Sequence, residues 1–218
     1  PNAKYVEVLV NDRHFIVAED LLSHVAKEVE WENFEIVNDY QGLQFDRMTA
    51  QHPFYDRESL LMVGDHVTMD TGTGLVHTAP GHGEDDYLVG KKFGLEVFCP
   101  VDNKGVMMAS SGKYQGLFYQ ACNEEVIKDM EACGSLLKLV KIVHSYPHDW
   151  RTKKPVIFRA TPQWFASIDP IKDDILNAIN NVTWNPKWGD VRISNMIKDR
   201  QDWCISRQRV WGVPIPVF

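Results

Sequence analysis

The chain has 218 residues, 44% hydrophobic and 24% charged, a composition typical of one large globular domain or of one domain with an appendage. Its formal net charge of −7 argues against general affinity for nucleic acids, and no apolar run approaches the roughly 20 residues that span a bilayer. Residues 187–209 nevertheless carry six basic and three acidic groups, which indicates either an RNA contact or an ordinary solvated surface.

The first residues lack the regions of a signal peptide and are typical of a domain boundary. Four scattered cysteines predict neither a disulfide framework nor a cysteine zinc site, so we expect a cytoplasmic protein.

Hydrophobic periodicity predicts short strands with helices between them. The predicted strands span residues 5–10, 14–18, 34–37, 66–69, 74–78, 95–99, 136–143 and 156–160. The predicted helices span residues 20–29, 84–93, 119–133, 171–179 and 191–200. Gly94 and Gly134 are suited to the left-handed positions that end the second and third helices, and turns are expected at residues 11–13 and 103–105. This pattern indicates a β-rich α+β domain and leaves its topology open.

Residues 72–87 (GTGLVHTAPGHGEDDY) carry the chemistry of the chain, because they combine histidines, acids and glycines at a predicted strand-to-helix turn. Glycines allow backbone amides to approach a ligand closely. The first turn of a helix presents free N–H groups and a positive dipole end, so acids placed there stay ionised and suit an ammonium group. The candidate site residues are His77, Thr78, Gly81, His82, Asp85 and Asp86.

Structural interpretations of the same residues stay open. Asp85 and Asp86 are equally well explained as complements to the helix dipole, and His77 as a histidine of the core. His77 and His82 with a nearby carboxylate are a possible metal site. We nevertheless predict no metal, because the proline and glycine between the two histidines prevent the helical spacing of common zinc hydrolases.

Three motifs carry a family resemblance. Residues 72–87 resemble the editing-site signature of isoleucyl-tRNA synthetases. Residues 144–151 (HSYPHDWR) with 155–165 (PVIFRATPQWF) resemble the return path from the editing domain, and residues 202–216 (DWCISRQRVWGVPIP) resemble re-entry into the catalytic core. Valyl and leucyl enzymes share the fold but follow Gly-Thr-Gly with a Pro-Ala-His-Asp pattern. The sequence HTAPGHG at residues 77–83 therefore favours the isoleucyl branch, whereas residues 1–71 are less distinctive.

The resemblance implies a fold and a domain organisation. Residues 1–145 would form the closed β-barrel editing domain of class I isoleucyl, valyl and leucyl enzymes, with peripheral helices. Residues 146–218 would form the connection back to the catalytic core. A threonine-rich wall of the editing pocket is expected before residue 1. The ATP-site signatures are missing, so no cofactor is expected here, and ATP and Mg²⁺ would serve only the full-length enzyme. Asp149 and Thr152 stand where some members carry a zinc-binding cysteine pair.

The resemblance also implies a reaction, the hydrolysis of valine wrongly esterified to tRNA(Ile). Binding alone does not reject valine well enough at the site that attaches isoleucine. A second site therefore hydrolyses the products that are small enough to enter it. Asp86 would hold the α-ammonium group, and His77 would line the side-chain pocket and exclude isoleucine. Thr78, Gly81, His82 and Asp85 would bind the substrate or shape the pocket. The general base is not assigned, and a ribose hydroxyl is a candidate for that role.

The partners implied are the aminoacylated 3′ end of tRNA(Ile) and the rest of the synthetase chain, with no membrane. Aromatic and basic side chains should meet the unstacked RNA, and Tyr87, Trp150 and Arg151 are candidates. Three alternatives stay open. They are a valyl-type editing domain that removes threonine, a catalytically silent tRNA-docking module, and a metal-dependent hydrolase that uses His77, His82 and an aspartate.

Overall fold

The computed structural model describes residues 2–208 and 211–216. Residues 1, 217 and 218 lie outside the described residues, as do Arg209 and Val210 of the third motif. The chain divides into two compact units, Pro1–Ala160 and Thr161–Phe218. The division at residue 145 that the family resemblance implies is a functional one and stays a prediction.

The first unit is built on a three-stranded antiparallel sheet. Its strands are β1 (Lys4–Val10), β2 (Arg13–Ala18) and β3 (Glu35–Gln41), in the order β2-β1-β3. Asn11 and Asp12 form the β1–β2 turn with positive φ angles of 47° and 61°, the geometry that matches the twist of a two-residue hairpin. Helix α1 (Leu22–Glu28) follows β2 after one 3₁₀ turn. The predicted strands and the predicted first helix of this region are confirmed.

The core of the first unit lies between this sheet and α1. Val8 and Ala18 are fully buried and Val17 is nearly so. The ring of Tyr5 packs edge-on against Phe45, with 5.6 Å between the ring centroids. The other buried members of this cluster are Val6, Val10, Leu21, Leu22 and Val25. Burial of β-branched side chains on one face of a sheet explains why this hairpin forms where its alternating pattern predicts it.

The rest of the first unit contains a small hairpin and two helices. Strand β4 (Thr49–Gln51) pairs antiparallel with β5 (Glu58–Leu60). Helices α2 (Glu84–Phe93) and α3 (Tyr119–Ala132) are separated by irregular chain and a 3₁₀ segment at Ala109–Tyr114. Gly94 and Gly134, with φ angles of 75° and 71°, follow the two helices in the left-handed conformation. Both predicted helix ends are therefore confirmed.

The second unit contains a short strand pair and two helices. Strand β6 (Phe165–Ala166) pairs with β7 (Trp203–Cys204). Helices α4 (Lys172–Asn180) and α5 (Gly189–Lys198) confirm the last two predicted helices. The indole N–H of Trp184 donates to the carbonyl of Ile179 at 3.0 Å, which ties the connection between the helices to the end of α4.

Five predicted strands are wrong. Residues 66–69, 74–78, 95–99, 136–143 and 156–160 contain no assigned strand. Their apolar side chains stay largely in solvent, as at Val140 and Ile142, which are 51% and 74% exposed. Strand propensity reports packing against a partner, and these segments pair with no neighbouring strand over the chain that the structure describes. The mixed α and β composition is confirmed. The assigned strands form three separate sheets, and the closed barrel stays a prediction.

A carboxylate lies on the polar face of the first sheet, where three donors hold it. Glu7 accepts hydrogen bonds from the hydroxyl of Tyr40 at 2.6 Å and from the amide of Asn38 at 2.8 Å. The imidazole of His14 lies 2.7 Å from the other oxygen. These bonds lower the pKa of Glu7, chiefly the bond from Tyr40 and then that from Asn38.

We expect Glu7→Gln to flatten the acid dependence of stability. Because the folded pKa of Glu7 is depressed, its contribution is fully present above the ordinary glutamate pKa of about 4.3 and disappears as the pH falls through the folded pKa. Thermal unfolding between pH 6 and pH 3 should therefore show a steeper loss of Tm in the native chain than in the variant. Glu30→Gln is the control, because Glu30 pairs with Lys138 at the surface. Parallel curves for the native chain and Glu7→Gln would contradict the assignment.

Candidate functional site

The segment that leads into the candidate site is fixed to the core sheet. The amide of Ala18 donates to the carbonyl of Thr73 at 2.8 Å, and the hydroxyl of Tyr5 donates to the carbonyl of Gly74 at 2.7 Å. Gly74 has a φ of 77°, and a Cβ there would lie 2.5 Å from the Cβ of Ala18. Only glycine permits this approach, so the chain immediately before His77 is positioned by the buried face of β1 and β2.

The turn between residues 79 and 83 packs closely on two neighbouring segments. The carbonyl of Gly81 accepts the amide of Ala160 at 2.8 Å, and a Cβ on Gly81 would lie 2.2 Å from the carbonyl oxygen of Phe98. The Nδ1 of His82 lies 2.9 Å from the carbonyl of Phe158. Because a carbonyl only accepts, we assign the proton to Nδ1, which leaves Nε2 of His82 as an acceptor when the ring is neutral.

The carboxylate of Asp86 is held at the start of α2. Gly83 is the extended residue before the helix, and the side chain of Asp86, three residues later, folds back over it. Its Oδ1 accepts the amide of Ala79 at 3.1 Å. Its Oδ2 accepts no hydrogen bond from the described residues, so this half-buried carboxylate combines a structural bond with a free acceptor. Asp85 is exposed on the same turn and adds negative charge at the positive end of the helix dipole.

A cavity of about 1000 Å³ lies beside this segment. His77, Thr78 and His82 line it, whereas Gly81, Asp85 and Asp86 do not. Asp86 adjoins the cavity through Ala79, because Ala79 is a lining residue whose amide the carboxylate binds. The structure therefore places three predicted residues in the wall, Asp86 next to it through Ala79, Gly81 between two lining residues and Asp85 in solvent.

His66 and Arg57 are two lining residues that the sequence does not indicate as site residues. The Nε2 of His66 is buried and has no hydrogen-bond partner among residues 2–208 and 211–216. A Cβ on Gly64 would lie 2.5 Å from the His66 ring, so the chain folds tightly around this imidazole. Arg57 lines another part of the wall, immediately before β5. His66 fell within a predicted strand and Arg57 within a hairpin with no strand pattern, so no local signal marked either residue.

A neutral histidine lies close to this wall. The Nδ1 of His52 accepts the amides of Phe54 at 3.3 Å and of Tyr55 at 3.1 Å. Burial lowers the pKa of His52, and the neighbouring Arg57 and His77 side chains lower it further. His52 is therefore a structural acceptor that holds the loop between β4 and β5, and it carries no charge at neutral pH.

The remaining expectations concern metal and RNA contacts. Within the described ranges, no three His, Cys, Asp or Glu side chains are grouped to hold a metal ion. The hydroxyl and the amide of Thr152 donate to the carboxylate of Asp149 at 2.8 and 2.7 Å. These bonds close a turn at the two positions where the resemblance implies a cysteine pair in some family members. The guanidinium of Arg151 lies 4.7 Å from the ring centre of Trp150, which is 72% exposed. Neither residue lines the cavity, nor does Tyr87, and their RNA contacts stay predictions.

The helices in the described part of the chain are too short or too polar to cross a lipid bilayer.

Comparison with known proteins identifies the family. The family model for tRNA synthetases class I (I, L, M and V) matches residues 7–218. Isoleucine–tRNA ligases of Bacillus cereus and Bacillus anthracis are 58% identical over all 218 residues, which correspond to 24% of each relative. The chain thus spans about a quarter of the length of these curated relatives. A solved structure described as GlLeuRS-CP1 aligns with a TM-score of 0.49 and 18% identity over 68% of this chain and 76% of that one. Because the family model matches nearly the whole sequence, the chain belongs to the class I tRNA synthetases.

Proposed function

We propose that this chain is the editing region of an isoleucine-specific synthetase and hydrolyses the ester of valine misattached to tRNA(Ile). The observation that carries the proposal is the cavity lined by His77 and Thr78, with the Asp86 carboxylate fixed next to this wall through the amide of Ala79. The similarity to isoleucine–tRNA ligases, which extends over all 218 residues of this chain, supports the choice of isoleucine as the cognate amino acid. A closed barrel, formed within residues 1–145, and the connecting role of residues 146–218 belong to the same proposal.

The volume of the cavity bears on selectivity. A space of about 1000 Å³ is larger than a valine side chain needs, and it has room for the amino acid with the terminal ribose. Discrimination against isoleucine must therefore come from a local contact around the side chain rather than from the total volume. We assign that contact to His77, whose backbone is held from the core through Gly74. Isoleucine and valine differ by one methylene only, so the wall that tells them apart must be rigid.

The hydrolysis itself needs few protein groups. The free Oδ2 of Asp86 would bind the α-ammonium and fix the ester relative to the wall. Water then attacks the ester carbonyl, the bond to the ribose oxygen breaks, and the products are free valine and a terminal hydroxyl. Thr78 and His82 line the cavity and are suited to orient the water or the carbonyl, with Nε2 of His82 as an acceptor. Asp85 and Gly81 would act through charge and shape.

The proposal extends to the setting of the reaction. The substrate would be the 3′ end of aminoacylated tRNA(Ile), and the remaining synthetase chain would be the second partner, in the cytoplasm. Editing needs no cofactor in this mechanism, whereas ATP and Mg²⁺ would serve ligation in the larger enzyme. Residues 77–83 favour this assignment over a valyl-type domain.

The test is deacylation of Val-tRNA(Ile), Ile-tRNA(Ile) and Thr-tRNA(Val), with and without EDTA. Both the isolated chain and a Bacillus cereus isoleucine–tRNA ligase that carries these 218 residues in place of its own matching segment should be assayed. We expect valine release at least about 10-fold faster than isoleucine release, the range that one methylene supplies, and no effect of EDTA. Preference for the threonyl ester would favour the valyl alternative, and loss of activity in EDTA would favour a metal hydrolase. Binding without hydrolysis in the complete ligase would leave only a docking role.

A further inference from the structure

The charges around the cavity are unbalanced for a nucleic-acid substrate. Arg57 is the one lysine or arginine among the lining residues of the described chain, whereas Glu58, Asp65 and Glu96 line the same space as carboxylates. Every nucleotide of a single-stranded RNA end brings a negative charge close to the ester. Such an end would be repelled from most of this wall, and it requires a cation at the point where its backbone passes.

The guanidinium of Arg57 is available for that contact. Among the described residues, no carboxylate lies within 4.0 Å of it and no acceptor takes a hydrogen bond from it. Its nearest aromatic contact is the ring of Tyr55, at 5.9 Å from the ring centre. The neighbouring Lys113 differs in this respect, because its ammonium pairs with Asp129 at 2.7 Å.

The loop that presents Arg57 is well fixed. The amide of His52 donates to the carbonyl of Arg57 at 3.0 Å, and the amide of Arg57 donates to the carbonyl of Tyr55 at 2.9 Å. The His52 ring accepts two amides of the loop, as described above, and the hydroxyl of Tyr55 donates to the carbonyl of Ser111 at 3.0 Å. A planar guanidinium on a fixed backbone suits a phosphate, since its donors match two phosphate oxygens and less entropy is lost on binding.

We propose that Arg57 is a phosphate-binding residue of the editing site, which contacts the backbone of the single-stranded RNA end while the ester occupies the cavity. This inference rests on the proposed function. It gives the unassigned hairpin of β4 and β5 a role in seating the substrate, and it separates recognition of the RNA backbone from recognition of the amino acid by His77 and Asp86.

The experiment compares two substrates that share the ester and differ in phosphate. Hydrolysis of Val-tRNA(Ile) and of 3′-O-valyl-adenosine is measured at several salt concentrations. The proteins compared are the native chain, Arg57→Gln and Arg57→Lys, each within the ligase described above. We expect Arg57→Gln to lower kcat/KM for the tRNA about 10-fold, mainly through KM, and to leave the adenosine ester within about twofold. Its slope of log kcat/KM against log salt should be shallower by about 0.7, as for one lost phosphate contact on a single strand. Arg57→Lys should recover part of the loss.

The control is Arg13→Gln. Arg13 is also an exposed arginine near an aromatic ring, with its guanidinium 5.2 Å from the ring centre of Phe15, but it lies outside the cavity lining. An Arg57→Gln variant with unchanged tRNA kinetics, or with equal losses on both substrates, would overturn the inference. If the native protein hydrolyses neither ester, the proposed function fails. Binding of a short RNA ending in CCA then decides the inference, because only a phosphate contact predicts weaker binding and a shallower salt slope in Arg57→Gln.

Discussion

Replacing Asp86 with alanine is expected to slow valine release from Val-tRNA(Ile) by about 100-fold, because the substrate ammonium would lose its charged partner in a partly desolvated site. Asp86 has two separable roles, since Oδ1 accepts the amide of Ala79 while Oδ2 is free among the described residues. The measurement is single-turnover deacylation in the complete ligase described above. Far-ultraviolet circular dichroism should accompany it, to show that the variant folds.

Asp86→Asn distinguishes the two roles. Asparagine keeps an acceptor for the amide of Ala79 but removes the charge. If Asp86 anchors an ammonium, the asparagine variant should be nearly as slow as the alanine variant. Near-native activity in Asp86→Asn would show that capping this turn is sufficient. Glu84→Ala is the matched control, because Glu84 is an exposed acid on the same turn and should affect the rate little.

Gly81→Ala is expected to lower the free energy of unfolding by about 3 kcal/mol and the Tm by roughly 10 °C. The added methyl would lie 2.2 Å from the carbonyl oxygen of Phe98, and backbone atoms cannot rotate away as a flexible side chain does. The displaced turn would also break the bond from Ala160, so deacylation should fall with stability. Thermal unfolding and deacylation are measured on the same samples.

The control for this prediction is Gly212→Ala. Gly212 is another glycine without positive φ, and a Cβ there would meet no atom of the described residues within 4 Å. It should change neither Tm nor deacylation by more than the error of measurement. A Gly81→Ala variant as stable as this control would mean that residues 79–83 do not pack against the Phe98 segment as described.

Local signals explain what the sequence predicts well. The five helices follow from apolar spacing over two or three turns, and Gly94 and Gly134 mark two helix ends because their left-handed geometry is a property of single residues. The hairpin of β1 and β2 is equally local, with its turn at Asn11 and Asp12. In each case the partner in the structure lies a few residues away in the sequence.

Long-range pairing explains what the sequence does not predict. Residues 136–143 have a strong strand pattern, but whether they form a strand depends on a distant partner that the pattern does not identify. The converse holds for β4 and β5, whose residues Thr49–Gln51 and Glu58–Leu60 lack a strand pattern and yet pair. The site divides in the same way. The composition of residues 72–87 indicates a site, whereas Arg57 and His66 join these residues only in the folded wall.

The bonds from Tyr5 and Ala18 to residues 73 and 74 would have a consequence for fidelity if the chain edits as proposed. They make the wall at His77 an extension of the first sheet, so the accuracy of amino-acid rejection would depend on residues that never meet the substrate. A cavity-forming substitution at Val8 or Val17 would loosen the strands to which the wall is attached. Errors in isoleucine discrimination would then arise from the protein interior, and they would increase on warming before the domain unfolds.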